Sequence, residues 1–269
     1  MSTLKKKLSR DCSIYAEVHG HESAPGILFL HGFLGSSQDW SEFMNTFYPD
    51  FFCVALDFPG HGQSLEDDEE IYAMPNLAVY IIKLLQKWPA KKWAVIGYSM
   101  GGRLALYLAL HYSAIFTKAV VISASPGLQE ENERFEREQK DELQIQALLQ
   151  SPMSEFLKHW YQQPLFSSLK SKLGFEEMWQ HRLRNDPIYL AKSIRCMGLA
   201  KQPSLWQMLG DCLVPLLFVC GVLDEKFLEL NQKMCRLCPQ AKLSVIANCG
   251  HNVVVEAPEN LKQILRSFL

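Results

Sequence analysis

The chain is 269 residues long, 48% apolar and 21% charged, with a formal net charge of −2 and an isoelectric point near 6.5. Such a length and composition suit one large α/β domain carrying an insertion and exclude a disordered chain. The near-neutral balance, with no clustered basic face, argues against nucleic acid as a partner. No stretch reaches the roughly 20 apolar residues that a membrane-spanning helix requires. Lys5, Lys6 and Lys7 look like the start of a secretion signal, but the polar residues 8–17 supply no apolar segment behind them, so a cytoplasmic protein without stable membrane insertion is expected. In a chain of this size the eight cysteines read as reduced thiols. The spacing of Cys235 and Cys238 has no second pair beside it and falls in an expected helix, so no metal is assigned.

In chain order, Gly26–Leu30 and 51–56 are short apolar runs closed by His31-Gly32 and by Pro59-Gly60-His61-Gly62, as buried strands entering loops are. Between them, 39–47 spaces its aromatic residues as a helix does, and 76–88 is an amphipathic helix behind Pro75. A strand at 93–96, a helix at 104–111 and a strand at 118–123 continue the alternation, which implies a mostly parallel central sheet with helices on both faces. The rhythm breaks at Pro126-Gly127. Residues 129–208 offer only polar helical stretches, at 130–150, 154–161, 175–183 and 188–197, and are expected to form a helical cap inserted into a core made of 1–128 and 209–269. Alternation resumes with a strand at 214–220, a helix at 227–235, a strand at 242–246 and a last helix over Pro258–Phe268.

Gly97-Tyr98-Ser99-Met100-Gly101 stands where a strand meets a helix, the setting in which a GxSxG elbow exposes a serine hydroxyl above a sheet. A serine alone is a poor nucleophile or base at neutral pH; it needs an imidazole, and the imidazole needs an orienting carboxylate. Asp224 follows the strand at 214–220, and His251 follows the strand at 242–246. Singly, Ser99 could cap a helix, Asp224 could cap the next one, and His251 could be a loop residue. Jointly, in the order Ser, Asp, His at the carboxyl ends of strands, they point to a catalytic triad. The backbone amides of Phe33, after Gly32, and of Met100, after Ser99, are the expected oxyanion stabilisers.

Leu30-His31-Gly32-Phe33-Leu34-Gly35, Asp57-Phe58-Pro59-Gly60-His61-Gly62, the elbow and Gly250-His251-Asn252 resemble α/β-hydrolases from end to end. Rarer motifs resemble the 2-succinyl-6-hydroxy-2,4-cyclohexadiene-1-carboxylate synthases of menaquinone and phylloquinone biosynthesis. These are Gly101-Gly102-Arg103 behind the elbow, Ser125-Pro126-Gly127-Leu128 with Arg134 and Arg137, Trp160-Tyr161-Gln162-Gln163-Pro164-Leu165-Phe166, Arg182, and Asp224-Glu225-Lys226-Phe227. The resemblance implies an α/β-hydrolase fold and a lyase that eliminates pyruvate: Ser99 removes a proton, His251 receives it, and Asp224 holds the imidazole. It implies a small polycarboxylate substrate, with Arg103, Arg137 and Arg182 as carboxylate clamps, Tyr98 and Trp160 as further contacts, and no metal or organic cofactor. The alternative for any one arginine is a surface ion pair, above all for Arg134 among the acidic residues of 130–142, and each aromatic could equally be a core residue. A serine hydrolase acting on an ester, thioester or carbon–carbon bond uses the same triad and stays open as the second reading. A catalytically silent binding protein is disfavoured, since all three triad residues are present. Oligomeric state is not set by the sequence.

Overall fold

A twisted sheet in the strand order β1-β2-β4-β3-β5-β6-β7-β8 forms the centre of the protein, seen here in a computed structural model that describes residues 4–7 and 14–269. Its strands are β1 (Leu4–Lys7), β2 (Tyr15–His19), β3 (Gly26–Leu30), β4 (Phe52–Leu56), β5 (Trp93–Tyr98), β6 (Phe116–Ile122), β7 (Leu216–Gly221) and β8 (Ala241–Ile246). The last six run parallel, while β2 pairs antiparallel with β4, and β1 with β2. The first two strands have no counterpart in the sequence reading. Residues 5–7 lie in β1, residues 8–13 lie outside the described residues, and the rest of that polar stretch enters β2, where the buried Ala16 and Val18 alternate with Glu17 and His19, which keep a small exposed fraction. β3, β4 and β5 are buried along their whole length, so each reads as an unbroken apolar run, as parallel strands covered on both faces do.

Helices cover the two faces. On one, α1 (Ser41–Phe47), α9 (Val253–Glu256) and α10 (Pro258–Phe268) press Phe43, Phe47, Val253, Leu261 and Leu265 against Phe29 and Ile96. On the other, α2 (Met74–Leu85), α3 (Met100–His111) and α8 (Glu225–Leu237) bury Leu77, Ile81, Leu104, Leu108 and Met234 against Leu28 and Val95. Each such side chain contributes about 1.5–3 kcal/mol of burial.

Between β6 and β7 the described residues contain no strand. Here lie α4 (Glu131–Gln150), α5 (Met153–Trp160), α6 (Phe175–Arg182) and α7 (Pro187–Met197), with short 3-10 turns between them. They build a third apolar cluster of their own around Ile145, Leu148, Phe156, Leu157 and Leu190, joined to the rest through Leu34 and Phe33. The two ends of this insertion are stitched together: Leu205 N donates to Pro126 O (2.7 Å) and Trp206 Nε1 to Gly127 O (2.9 Å). Arg134 adds to the seam by donating to the carbonyls of Leu128, Ala200 and Gln202. No helix among the described residues is long and apolar enough to cross a membrane.

Candidate active site

β5 ends in a turn that only small neighbours permit. Ser99 sits at φ 52° and ψ −109°, a backbone shape that an L-residue adopts at a cost. A Cβ placed on Gly97 would strike the Gly101 carbonyl, and one on Gly101 would strike that of Leu30. The turn is anchored by Ser99 N donating to Ile122 O on β6 (2.8 Å). Strain and tight packing together lift the Ser99 hydroxyl above the carboxyl edge of the sheet.

That edge also presents the other two side chains of the expected triad, from loops that follow β7 and β8. The Nδ1 of His251 lies 2.6 Å from Asp224 Oδ2, and its Nε2 lies 3.2 Å from Ser99 Oγ. A carboxylate only accepts, so the ring proton is on Nδ1 and the Nε2 lone pair faces the serine hydroxyl. Both partners are almost fully buried, with 3% and 2% of their side chains exposed, so water does not compete for the hydrogen bond. The histidine loop is held from below by Glu256, which accepts from Gly250 N (2.9 Å), Asn252 N (3.2 Å) and, across from the insertion, Ser168 Oγ (2.6 Å). Phe227 packs 4.6 Å from the imidazole and Phe166 5.8 Å, centroid to centroid.

The loop after β3 closes the opposite side. Phe58 N donates to His31 Nε2 (2.9 Å), so His31 Nδ1 carries the proton and donates to Gly32 O (2.7 Å). Burial pushes this imidazole down to about 3, which keeps it neutral. Asp57 ties the same region together by accepting from Ser37 N (2.6 Å) and Gln63 N (2.7 Å). Phe33 and Met100 both border the space above Ser99. Neither amide donates to a backbone carbonyl in the turns and loops described, and that of Met100, first residue of α3, is left free by helix geometry.

The space itself is a cavity of about 250 Å³ between the sheet edge and the insertion, with the triad on its floor. Arg103, Arg137 and Trp160 line it, as do Asp141 and Lys226. Arg103 reaches in from α3, its Nη1 held by Gln202 Oε1 (3.0 Å) and its Nη2 by Met197 O (2.9 Å). Burial, then the charge of Arg137, pull its guanidinium down to about 10, so it stays a cation at neutral pH. Trp160 packs on Phe33 (5.1 Å) and Phe156 (5.8 Å), a flat apolar wall over the serine.

Two of the expected substrate contacts lie elsewhere. Arg182 is not on the cavity: its Nη1 and Nη2 donate to Asp39 (2.8 and 2.7 Å), a buried fork-to-fork pair between α6 and the turn before α1. Its fork is therefore taken up in joining insertion to core. Tyr98 is 8% exposed and packs behind His251 (5.6 Å) in the core under the site. Arg134 is consumed by the seam at the insertion's ends.

The pattern of the alpha/beta hydrolase fold matches residues 25–258. The chain belongs to the α/β-hydrolase family. Within that family it is 33% identical over 251 residues to the 2-succinyl-6-hydroxy-2,4-cyclohexadiene-1-carboxylate synthase of Citrobacter koseri, covering 92% of this chain and 96% of that protein. It is 33% identical over 266 residues to the chloroplastic protein PHYLLO of Arabidopsis thaliana, covering 92% of this chain but 16% of that much longer protein. Among solved structures, MenH from S. aureus superimposes with a TM-score of 0.90 at 30% identity, covering 94% of this chain and 97% of that one.

In this α/β-hydrolase the sequence reading passed over Asp141, Lys226, Phe166 and Phe227 as cavity residues. A signal existed for the first, since Asp141 lies one helical turn beyond Arg137 on a helix. For Lys226 and Phe227 the signal was their place just after Asp224. Among the described residues no group of three or more His, Cys, Asp or Glu is arranged to hold a metal ion.

Proposed function

We propose that the protein is a 2-succinyl-6-hydroxy-2,4-cyclohexadiene-1-carboxylate synthase, a lyase that eliminates pyruvate from 2-succinyl-5-enolpyruvyl-6-hydroxy-3-cyclohexene-1-carboxylate in quinone biosynthesis. The observation that carries this reading is a Ser99–His251–Asp224 relay opening onto a cavity whose other wall holds the cations Arg103 and Arg137. A neutral ester has no use for two arginines there; a substrate with several carboxylates does. The likeness to the Citrobacter koseri and S. aureus proteins supports the same reading.

In this reading Ser99 Oγ, deprotonated toward His251 Nε2, takes the proton from ring C2, the carbon α to the succinyl ketone. The carbonyl oxygen that gains charge is met by the amides of Phe33 and Met100. The electron pair left on C2 forms the C2–C3 double bond, the C3–C4 double bond shifts to C4–C5, and the ring C5–O bond breaks. The enolate of pyruvate leaves with that pair and is protonated, so atoms and charge balance without an added cofactor. Arg103 and Arg137 hold carboxylates, and Trp160 lies against the apolar face of the ring. A small-molecule polycarboxylate is thus the partner, and the cytoplasm the expected site of action.

Incubation of the purified protein with the succinyl-enolpyruvyl substrate should release pyruvate. Arg103→Ala should lower kcat/KM by about 10- to 100-fold, the loss of one hydrogen-bonded charge pair. Absence of pyruvate, together with fast turnover of nitrophenyl esters, would instead select the serine-hydrolase reading.

A further inference from the structure

Asp141 is a charged residue only 5% exposed on the wall of the cavity, where an anionic substrate is to bind. Burying a carboxylate costs several kcal/mol unless its partners offset the loss, and a negative charge beside an anion site is unfavourable in itself. Its geometry supplies a reason. Asp141 Oδ1 accepts from Arg137 Nε at 2.7 Å, one turn away on α4, and this is the inner edge of the guanidinium. The two terminal nitrogens of Arg137 take no hydrogen-bond partner among the described residues, and the side chain, 34% exposed, lines the cavity. From the other side α7 ends against Asp141 at Gly198, where an added Cβ would lie 2.7 Å from Asp141 Oδ2. The carboxylate is therefore fixed between two helices and grips Arg137 by one edge only.

We infer that Asp141 is a positioning residue that holds the Arg137 guanidinium with its outer Nη edge presented to a substrate carboxylate. The inference rests on the carboxylate-clamp reading of Arg137. Single-edge pairing leaves the fork free for a bidentate contact, which a fork-to-fork pair such as Arg182 with Asp39 does not. Asp141 also sits near Arg103, where its charge offsets the repulsion between the two arginines.

The test is steady-state pyruvate release by D141A, D141N, R137A and the D141A/R137A double variant, with thermal unfolding of each. A group acting through ground-state binding moves KM and spares kcat, so D141A should raise KM about tenfold with kcat within about twofold. D141N keeps an oxygen for Nε and should raise KM only about threefold. In the R137A background, loss of Asp141 should change KM by less than about twofold, because the two residues act as one unit. A fall in KM in D141A or D141N overturns the proposal, since it marks Asp141 as a mere like charge. A full tenfold rise in the R137A background also overturns it, as a general structural effect. An unchanged KM in R137A alone sinks the clamp reading, and the positioning role with it. Should D141A fail to fold, D141N in the two backgrounds carries the same comparison.

Discussion

Ser99 combines a strained backbone with an imidazole partner, and the proposed role as a base draws on both. The positive φ exposes the hydroxyl, while the 3.2 Å approach of His251 Nε2 gives its proton somewhere to go. Ser99→Ala keeps the turn and removes only the oxygen; pyruvate release should fall by about 10²–10⁴-fold, the usual worth of a positioned base, with the unfolding temperature nearly unchanged. His31 shows how burial sets protonation nearby. Its folded value of about 3 lies below the 6.5 of an exposed imidazole, so the unfolded chain binds the extra proton between those values. The stability this neutral ring allows is complete above pH 6.5 and is lost as pH falls toward 3, by up to about 1.4 kcal/mol per pH unit. His61, also buried and held well below the usual range, adds in the same direction. Denaturant midpoints should therefore drop between pH 6.5 and 4, and substitution of His31 by Gln should flatten that slope.

Elements meet at two joints that matter for the site. One is Glu256, whose buried carboxylate gathers the histidine loop and Ser168 of the insertion. The other is the Arg182–Asp39 pair, 5% and 12% exposed, between α6 and the core. Arg182→Ala leaves Asp39 uncompensated and should cost about 3–5 kcal/mol in urea unfolding, and a loss under 1 kcal/mol would show that the pair is not structural. This joint also marks where the sequence stops being legible. The strands from β3 onward and the helices declare themselves by apolar runs and periodicity, because their burial depends on neighbours in the chain. Ser99, Asp224 and His251 are readable as candidates for a related reason, since each follows a strand within five residues, with Gly97, Gly221 and Gly250 close by in the chain. β1 and β2 pair antiparallel at the edge with little apolar content, and nothing local announces them. Nor does sequence say whether Arg182 pairs with substrate or with Asp39, 143 residues away, since that choice is made only when α6 docks. Arg134 is the same case, drawn to three carbonyls that only the folded seam brings together.

Across the whole molecule, charge is balanced overall yet sorted locally, with a net of −2 for the chain and three cations, Arg103, Arg137 and Lys226, on one cavity. Attraction for the proposed anionic substrate is then short-ranged. Raising salt from 0.05 to 0.5 M shortens the screening length from about 14 to about 4 Å and should raise KM several-fold while kcat holds, with Lys226 at the exposed rim responding most. A KM indifferent to salt would place the carboxylates away from these side chains.

The stitched ends of the insertion have a wider consequence. Because Leu205 bonds to Pro126 and Trp206 to Gly127, the 80 or so residues between them leave and re-enter the core at one point, and the ladder from β6 to β7 closes without them. The core sets Ser99, Asp224 and His251 on the cavity together with Arg103 and Lys226; the excursion adds Arg137, Asp141 and Trp160. One wall of the cavity is thus written in a separable length of chain. A lineage can exchange that wall without rebuilding the sheet, so that a change of ligand in this architecture can begin with a new roof over an old engine.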